Sequence, residues 1–419
     1  MLLIFLSHHT ASAFVTVQNE AGSSYADFNG ALRLNTAYYR SRAPYVSNKN
    51  NFTNMTVLRF LSSGSWKDYI DYDINTYGVW GGGFEYGTGS ISNAAFTHST
   101  YRNHWLNEYF YQNSVYGGYG IDRMFIRFTG ERANFSLGRM AVNYAMARIF
   151  AVNDFFAPFS ASSINTVYKP GVDAARLSLQ TGNLSTIEVL GVIGNNAEAD
   201  PASASPQLNE SALLLYARTL LGPFDLSLVG GRLAGKWTAG GSFSTDIGPV
   251  TLYSEGHTGF LDKNNASRNA DTQQAIDSVY VQITMGSQVS FNWRNAVLIG
   301  EYAFLSNGTT PFRYTNLGAA RRYPDEVPLL GSHYGAVSFT MELHPLLYLN
   351  TLGLMNLGDK SGYASVSLAF SIGDNAEWLA GIITPFGKKN NLTTGNAVIV
   401  RSEMGTAPFT GFTELRYYF

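Results

Sequence analysis

The chain has no cysteine among its 419 residues. Without thiols there is no disulfide framework, thiolate metal site, iron–sulfur cluster or cysteine nucleophile, and no c-type haem attached covalently to this chain. Charge is scarce too. Lys, Arg, Asp and Glu make up 14% of the residues, against about 25% in an ordinary soluble domain. A net charge of -2, a pI near 6.4 and no clustered Lys/Arg run exclude the electrostatic footprint of a nucleic-acid binder. Long apolar runs are also missing: no stretch reaches the roughly 18 residues of a membrane-spanning helix, and mean hydropathy is -0.06.

What the chain does contain is 27 Phe, 26 Tyr, 6 Trp and 42 Gly, so that aromatic residues equal charged ones at 14% each. This composition suits a large soluble β protein or a transmembrane β-barrel. The length exceeds the usual ~100–200 residues of a domain, but all-β barrels of this size fold as one piece.

Both ends favour the membrane barrel. At the start, Leu2-Leu3-Ile4-Phe5-Leu6 precedes Ala11-Ser12-Ala13, the small-x-small form of a signal-peptidase site. Residues 1–13 are therefore expected to be a signal-peptide remnant, and 14–419 a single barrel domain. At the other end, Leu415, Tyr417 and Phe419 share one strand face and Glu414 and Arg416 the other. This segment resembles the terminal strand of bacterial outer-membrane barrels. The resemblance implies that Leu415, Tyr417 and Phe419 are read by the barrel-assembly machinery, and that outer-membrane lipid surrounds the mature protein.

Barrel strands alternate apolar and polar residues and are joined by tight turns on one side and longer loops on the other. Turn signals fall near Ser63-Gly64, Gly130-Glu131, Gly182-Asn183, Gly222-Pro223, Gly248-Pro249, Gly286-Ser287, His344-Pro345 and Gly373-Asp374. Longer polar or Gly-rich segments lie at 41–51, 79–118, 141–171, 196–210, 236–240, 262–275, 305–332, 357–361 and 385–408. Together these connections predict an all-β, antiparallel barrel of about 18 strands (16–20), with short periplasmic turns, longer extracellular loops and both termini on the turn side.

The strands support this. Ile70, Tyr72 and Ile74 alternate with Asp71, Asp73 and Asn75; Val279, Val281 and Ile283 with Tyr280, Gln282 and Thr284; Met124, Ile126 and Phe128 oppose Arg123 and Arg127. The aromatics Tyr38, Tyr39, Trp66, Tyr69, Trp293 and Trp378 at strand ends suit interfacial girdles.

The most distinctive stretch runs from Gly138-Arg139-Met140 through Asn153-Asp154 and Pro158 to Pro170-Gly171-Val172-Asp173-Ala174 and Arg176. A connection of about 30 residues with little strand character is often functional. In a wide barrel, an inward-folded loop at 141–171 would narrow the lumen. These residues resemble a family of Gram-negative outer-membrane barrels with a Gly-Arg-Gln strand end, an Asn-Pro-x-Asp-like loop and a Pro-Gly-Val-Asp-Ala strand start; Met140 stands in place of the Gln. Some members form the barrel of porin-cytochrome electron conduits. The resemblance implies a sheath around a multihaem c-type cytochrome, with haem supplied only by that partner. The residues alone suit a passive diffusion porin equally.

Arg139, Arg148, Arg176, Asp154 and Asp173 are the candidate charge network of that loop and constriction. Arg123 and Arg127, with Asp71 and Asp73, are candidate rungs of lumen charge. An export channel would want one sign of charge, which these mixed pairs disfavour. No enzyme signature is found. His98, His104 and Glu108 have a spacing that could hold a metal, but no helix aligns them, and no metal is expected.

Overall fold

The computed structural model describes residues 15–19, 23–43, 49–83, 101–102, 107–112, 115–158, 168–195, 205–261, 279–308, 329–392 and 398–419. The expected signal segment, His98 and His104 lie outside these residues, as does the side chain of Glu108.

Eighteen strands form a closed antiparallel barrel. They are β1 Ser24–Arg40, β2 Asn50–Trp66, β3 Ile70–Gly83, β4 Val115–Thr129, β5 Ala133–Met140 and β6 Val172–Gly182. Next come β7 Ser185–Asn195, β8 Pro206–Leu221, β9 Phe224–Leu233, β10 Lys236–Ile247, β11 Val250–Leu261 and β12 Val279–Ser290. The last are β13 Val297–Leu305, β14 His333–His344, β15 Leu347–Asn356, β16 Ser361–Gly373, β17 Ala376–Phe386 and β18 Phe409–Tyr418. Each pairs with the next, and β18 returns to β1 in the register Arg33↔Arg416 and Ala37↔Phe412. Short strands Val15–Gln18 and Asn107–Gln112 add to β1 and β4.

The period of two decides which side of the wall each residue faces. On β3, Asp71, Asp73, Asn75 and Tyr77 share the inner face while Ile74 and Trp80 are exposed outside. On β12, Tyr280, Gln282 and Thr284 are buried inside, with Val279 and Met285 exposed. The apolar face therefore points outward, the inverse of a soluble sandwich. Exposed rings gather at both rims of that face: Trp66, Tyr69, Phe224, Trp293 and Trp378 toward the turns; Phe52, Trp80, Tyr119, Trp237 and Phe260 toward the loops. Tyr38 joins the loop-side belt beside Phe52, ring centroids 5.0 Å apart. Tyr39 does not, because its odd position puts it on the inner face, packed against the interior cluster.

Tight turns stand at 130–132, 183–184, 222–223, 248–249, 345–346 and 374–375, as the sequence suggests. Two expected turns lie elsewhere. The β2–β3 turn is Lys67-Asp68-Tyr69, three residues after Gly64, and the β12–β13 turn spans 291–296 rather than Gly286-Ser287. Gly286 is small for another reason: a Cβ there would run into the Tyr253 ring, which lies across it. A glycine inside a strand marks close approach as readily as a turn. The loop expected at 236–240 is instead the two-residue turn Ala234-Gly235, with φ of 46° and 78°, the left-handed pair that joins twisted hairpin strands.

Candidate lumen site

Strands ~4.8 Å apart and tilted ~40° make an eighteen-strand wall on the order of 35 Å across, too wide for wall side chains to meet. The chain fills part of this space with the segment 141–158, which leaves β5 and follows the inner wall as far as β13. Glu255 of β11 accepts hydrogen bonds from the backbone N–H of Met146, Ala147 (2.8 Å) and Asn153 (3.0 Å). Glu301 of β13 accepts those of Arg148 (2.6 Å), Ile149 (3.0 Å) and Phe150 (2.7 Å), and also the Tyr253 hydroxyl (2.7 Å). On β12, between them, the Thr284 hydroxyl donates to the Phe150 carbonyl at 2.7 Å. Further along, Tyr144 donates to Glu188 and stacks on Tyr216 with centroids 4.4 Å apart. Burial, reinforced by the Glu188 carboxylate, pushes the Tyr144 hydroxyl above its ordinary value.

Apolar packing completes the seating. Val142, Tyr144, Phe155 and Phe156 pack with Leu190, Leu214 and Leu233 of the neighbouring wall. Phe150 and Val152 join a second cluster with Leu305 and Tyr334 that continues through Met404 and Phe412 to Val57 and Tyr77.

Buried charges elsewhere are matched by side chains. Glu414 of β18 receives Arg33 and Arg416, with Asn35 donating at 3.0 Å, and Arg416 reaches Glu377 at 2.9 Å. Asp122, the extra residue of a bulge in β4 opposite Asn75 and Thr76, holds Arg59 and Arg102, the latter at 2.8 Å.

The residues singled out in the sequence do not form one network. Arg139 and Asp173 pair bidentately at 2.7 and 3.0 Å, at the loop-side ends of β5 and β6. They occupy the strand face opposite Met140 and Val172, whose side chains enter the interior cluster. Asp154 pairs with Lys169, which pattern reading missed; burial holds the carboxyl above and the amine below its ordinary value. Arg176 lies 3.8 Å from Glu188. Arg148 offers its backbone to Glu301 and its guanidinium to the Tyr253 ring, 5.7 Å away. Arg123 donates to the Lys169 carbonyl at 3.2 Å. Arg127 lies directly across from Asp71 in register, and the Asp71 carboxylate accepts from Thr129. Asp73 has Arg123 and Arg127 as its charged neighbours. At the closing edge, Leu415 and Tyr417 are exposed on the outer face, and Phe419 exchanges backbone hydrogen bonds with Gly30.

Glu255, Glu301, Asp122 and Lys169 carry most of this arrangement and belong to no motif. The signal available for two of them is a lone carboxylate on the polar face of a strand in a chain with few charges: Tyr253-x-Glu255-x-His257 and Glu301-x-Ala303.

No family model matches the sequence, and no curated protein matches it. Solved structures do. A BenF-like porin from Pseudomonas fluorescens Pf-5 aligns with a TM-score of 0.55 at 9% identity, covering 94% of this chain and 98% of that one. Acinetobacter baumannii OccAB1 aligns with a TM-score of 0.54 at 9% identity over 94% and 96%. Pseudomonas aeruginosa OccD3 (OpdP) gives 0.51 at 11% identity over 93% and 91%. The chain has the fold of outer-membrane porins. The outward apolar band between its two aromatic belts agrees with these neighbours on a Gram-negative outer-membrane location.

Proposed function

We propose that this porin-like barrel is a passive diffusion channel for small solutes or ions, with the 141–158 segment setting its bore. The observation that carries the reading is the backbone of that segment anchored by Glu255 and Glu301 inside a barrel of porin fold. A loop held this way shapes a passage without performing chemistry, and no catalytic role or cofactor is proposed. Outer-membrane lipid and the assembly machinery are its proposed partners.

A sheath around a multihaem cytochrome has no support among the structural neighbours. The 141–158 segment, held against the inner wall, also lies in space that such a partner would need. The test is reconstitution of the purified barrel in planar bilayers with a haem stain of the same preparation. Discrete conductance steps from haem-free protein are expected. Folded barrels that pass neither ions nor small sugars would overturn the proposal, and stoichiometric haem would restore the sheath.

A further inference from the structure

We infer that Glu255 and Glu301 are positioning residues that act together as a latch on the lumen segment, and that neutralising either one widens the channel. This rests on the diffusion reading for its consequence, though not for its mechanics. Five consecutive backbone N–H groups, from Met146 to Phe150, point at these two carboxylates, and Asn153 adds a sixth. Successive N–H groups converging in this way form a concavity for an anion. Here the anions belong to the wall.

The donors interleave. Glu255 takes those on both sides of the three that Glu301 takes, so neither half can leave without straining the other. Register places the anchors near each other across β12: Glu255 of β11 is directly opposite Thr284 of β12, and Glu301 of β13 is directly opposite Gly286, two residues further along β12. The wall thus presents acceptor, donor, acceptor in a row, matched by N–H, C=O and N–H of the loop. Both carboxylates are buried, at 2% and 5% exposure, where an unmatched charge would be costly. Their burial and the loop's position depend on each other.

A glutamine keeps one acceptor oxygen but brings an amide that cannot accept, so each Glu→Gln change removes part of the matched set. The chain's lack of cysteine permits a clean reporter. Ala147, 8% exposed and bonded to Glu255 only through its backbone, is replaced by Cys in the full-length protein, and labelling by a small maleimide is timed in detergent. Charge-assisted bonds of this kind are strong enough that Glu255→Gln or Glu301→Gln should speed labelling by about tenfold or more. Asp246→Asn, at the exposed turn end of β10, should leave it unchanged. Each variant is first shown to be folded by its resistance to dissolved SDS without heating.

In planar bilayers the same variants should give larger single-channel steps and admit larger neutral polymers than the parent. Unchanged labelling and unchanged conductance in folded Glu255→Gln and Glu301→Gln barrels would overturn the latch. Faster labelling in a protein whose parent passes no current would leave the latch standing and remove the diffusion reading.

Discussion

The two halves of the lumen are built on different terms. Toward the loops, inward side chains are buried around the whole circuit, from Ala37, Val57 and Val79 through Leu190 and Leu214 to Leu305, Tyr334 and Leu354. Toward the turns the inner face is polar and more open, with Asp27, Asp71, Asp73, Arg127 and Asn350 partly accessible and Arg218 exposed. The wall is the same barrel at both heights. The difference is chain folded back inside it: where residues 141–158, 387–392 and 398–408 reach, the interior resembles a protein core, and where they do not, it is a vestibule. Burial in a wide barrel comes from the loops, because the strands cannot supply it.

The largest expected effect lies at the boundary between the halves. Glu414→Ala leaves Arg33 and Arg416 buried without their shared carboxylate, and breaking one partner of such a cluster costs about 3–5 kcal/mol. Because β18 closes the barrel, a lower unfolding midpoint in denaturant should appear with no separate loop transition. Phe150→Ala comes next. This side chain is fully buried, its ring centroid 5.9 Å from that of Tyr334, and truncating a buried Phe costs about 3–5 kcal/mol where the site cannot relax. Local undocking of the segment would cap the loss. The expected result is a smaller drop in the unfolding midpoint than for Glu414→Ala, with increased conductance. Equal drops with unchanged conductance would show that the packed half unfolds as one unit with the wall.

A third change is smaller and depends on pH. Glu403, in the stretch 398–408, accepts from the Leu330 N–H (2.9 Å), the Tyr334 hydroxyl (2.6 Å) and the Asn356 amide (2.7 Å), yet burial still raises its carboxyl above 4.5. A raised value in the folded state means that its contribution is fully present below 4.5 and is lost as pH rises through the raised value. Relative to Glu403→Gln, the parent should therefore lose stability as pH rises from 4.5 toward neutrality. A parent-to-variant difference that does not change across that range would show that the segment sits less deeply in the packed half.

The wall was far more legible than its filling. Alternation on β3 and β12, the aromatic rims and the C-terminal edge follow from a period of two, which a sequence displays directly. The misplaced turns at Gly64 and Gly286 have a plain cause: glycine serves close packing of a tyrosine as well as it serves a turn. The latch was hidden because its donors are backbone N–H groups, which every non-proline residue has, and its acceptors are single glutamates more than a hundred residues further along the chain. Arg148 was picked out for its side chain, whereas its backbone makes the bond to Glu301. Pairs such as Asp154 with Lys169, or Asp122 with Arg59 and Arg102, depend on how the loops fold back, and that is not periodic.

The smallest expected effect on stability tests the open half. Arg127 and Asp73 face the vestibule on neighbouring strands, both partly accessible, and their charged neighbours Asp71 and Arg123 are partly accessible too. Arg127→Gln and Asp73→Asn should each leave stability within about 0.5 kcal/mol of the parent. Permeation should respond more than folding, because a charge lining a water-filled passage biases the ions near it. Removing Arg127 should shift the reversal potential in a salt gradient toward cation preference, and removing Asp73 should shift it toward anion preference. The shifts should shrink as salt is raised, since exposed charges are screened beyond about 10 Å at 0.1 M. If both variants leave the reversal potential unchanged, ions are selected in the packed half alone, and the vestibule serves only as an antechamber.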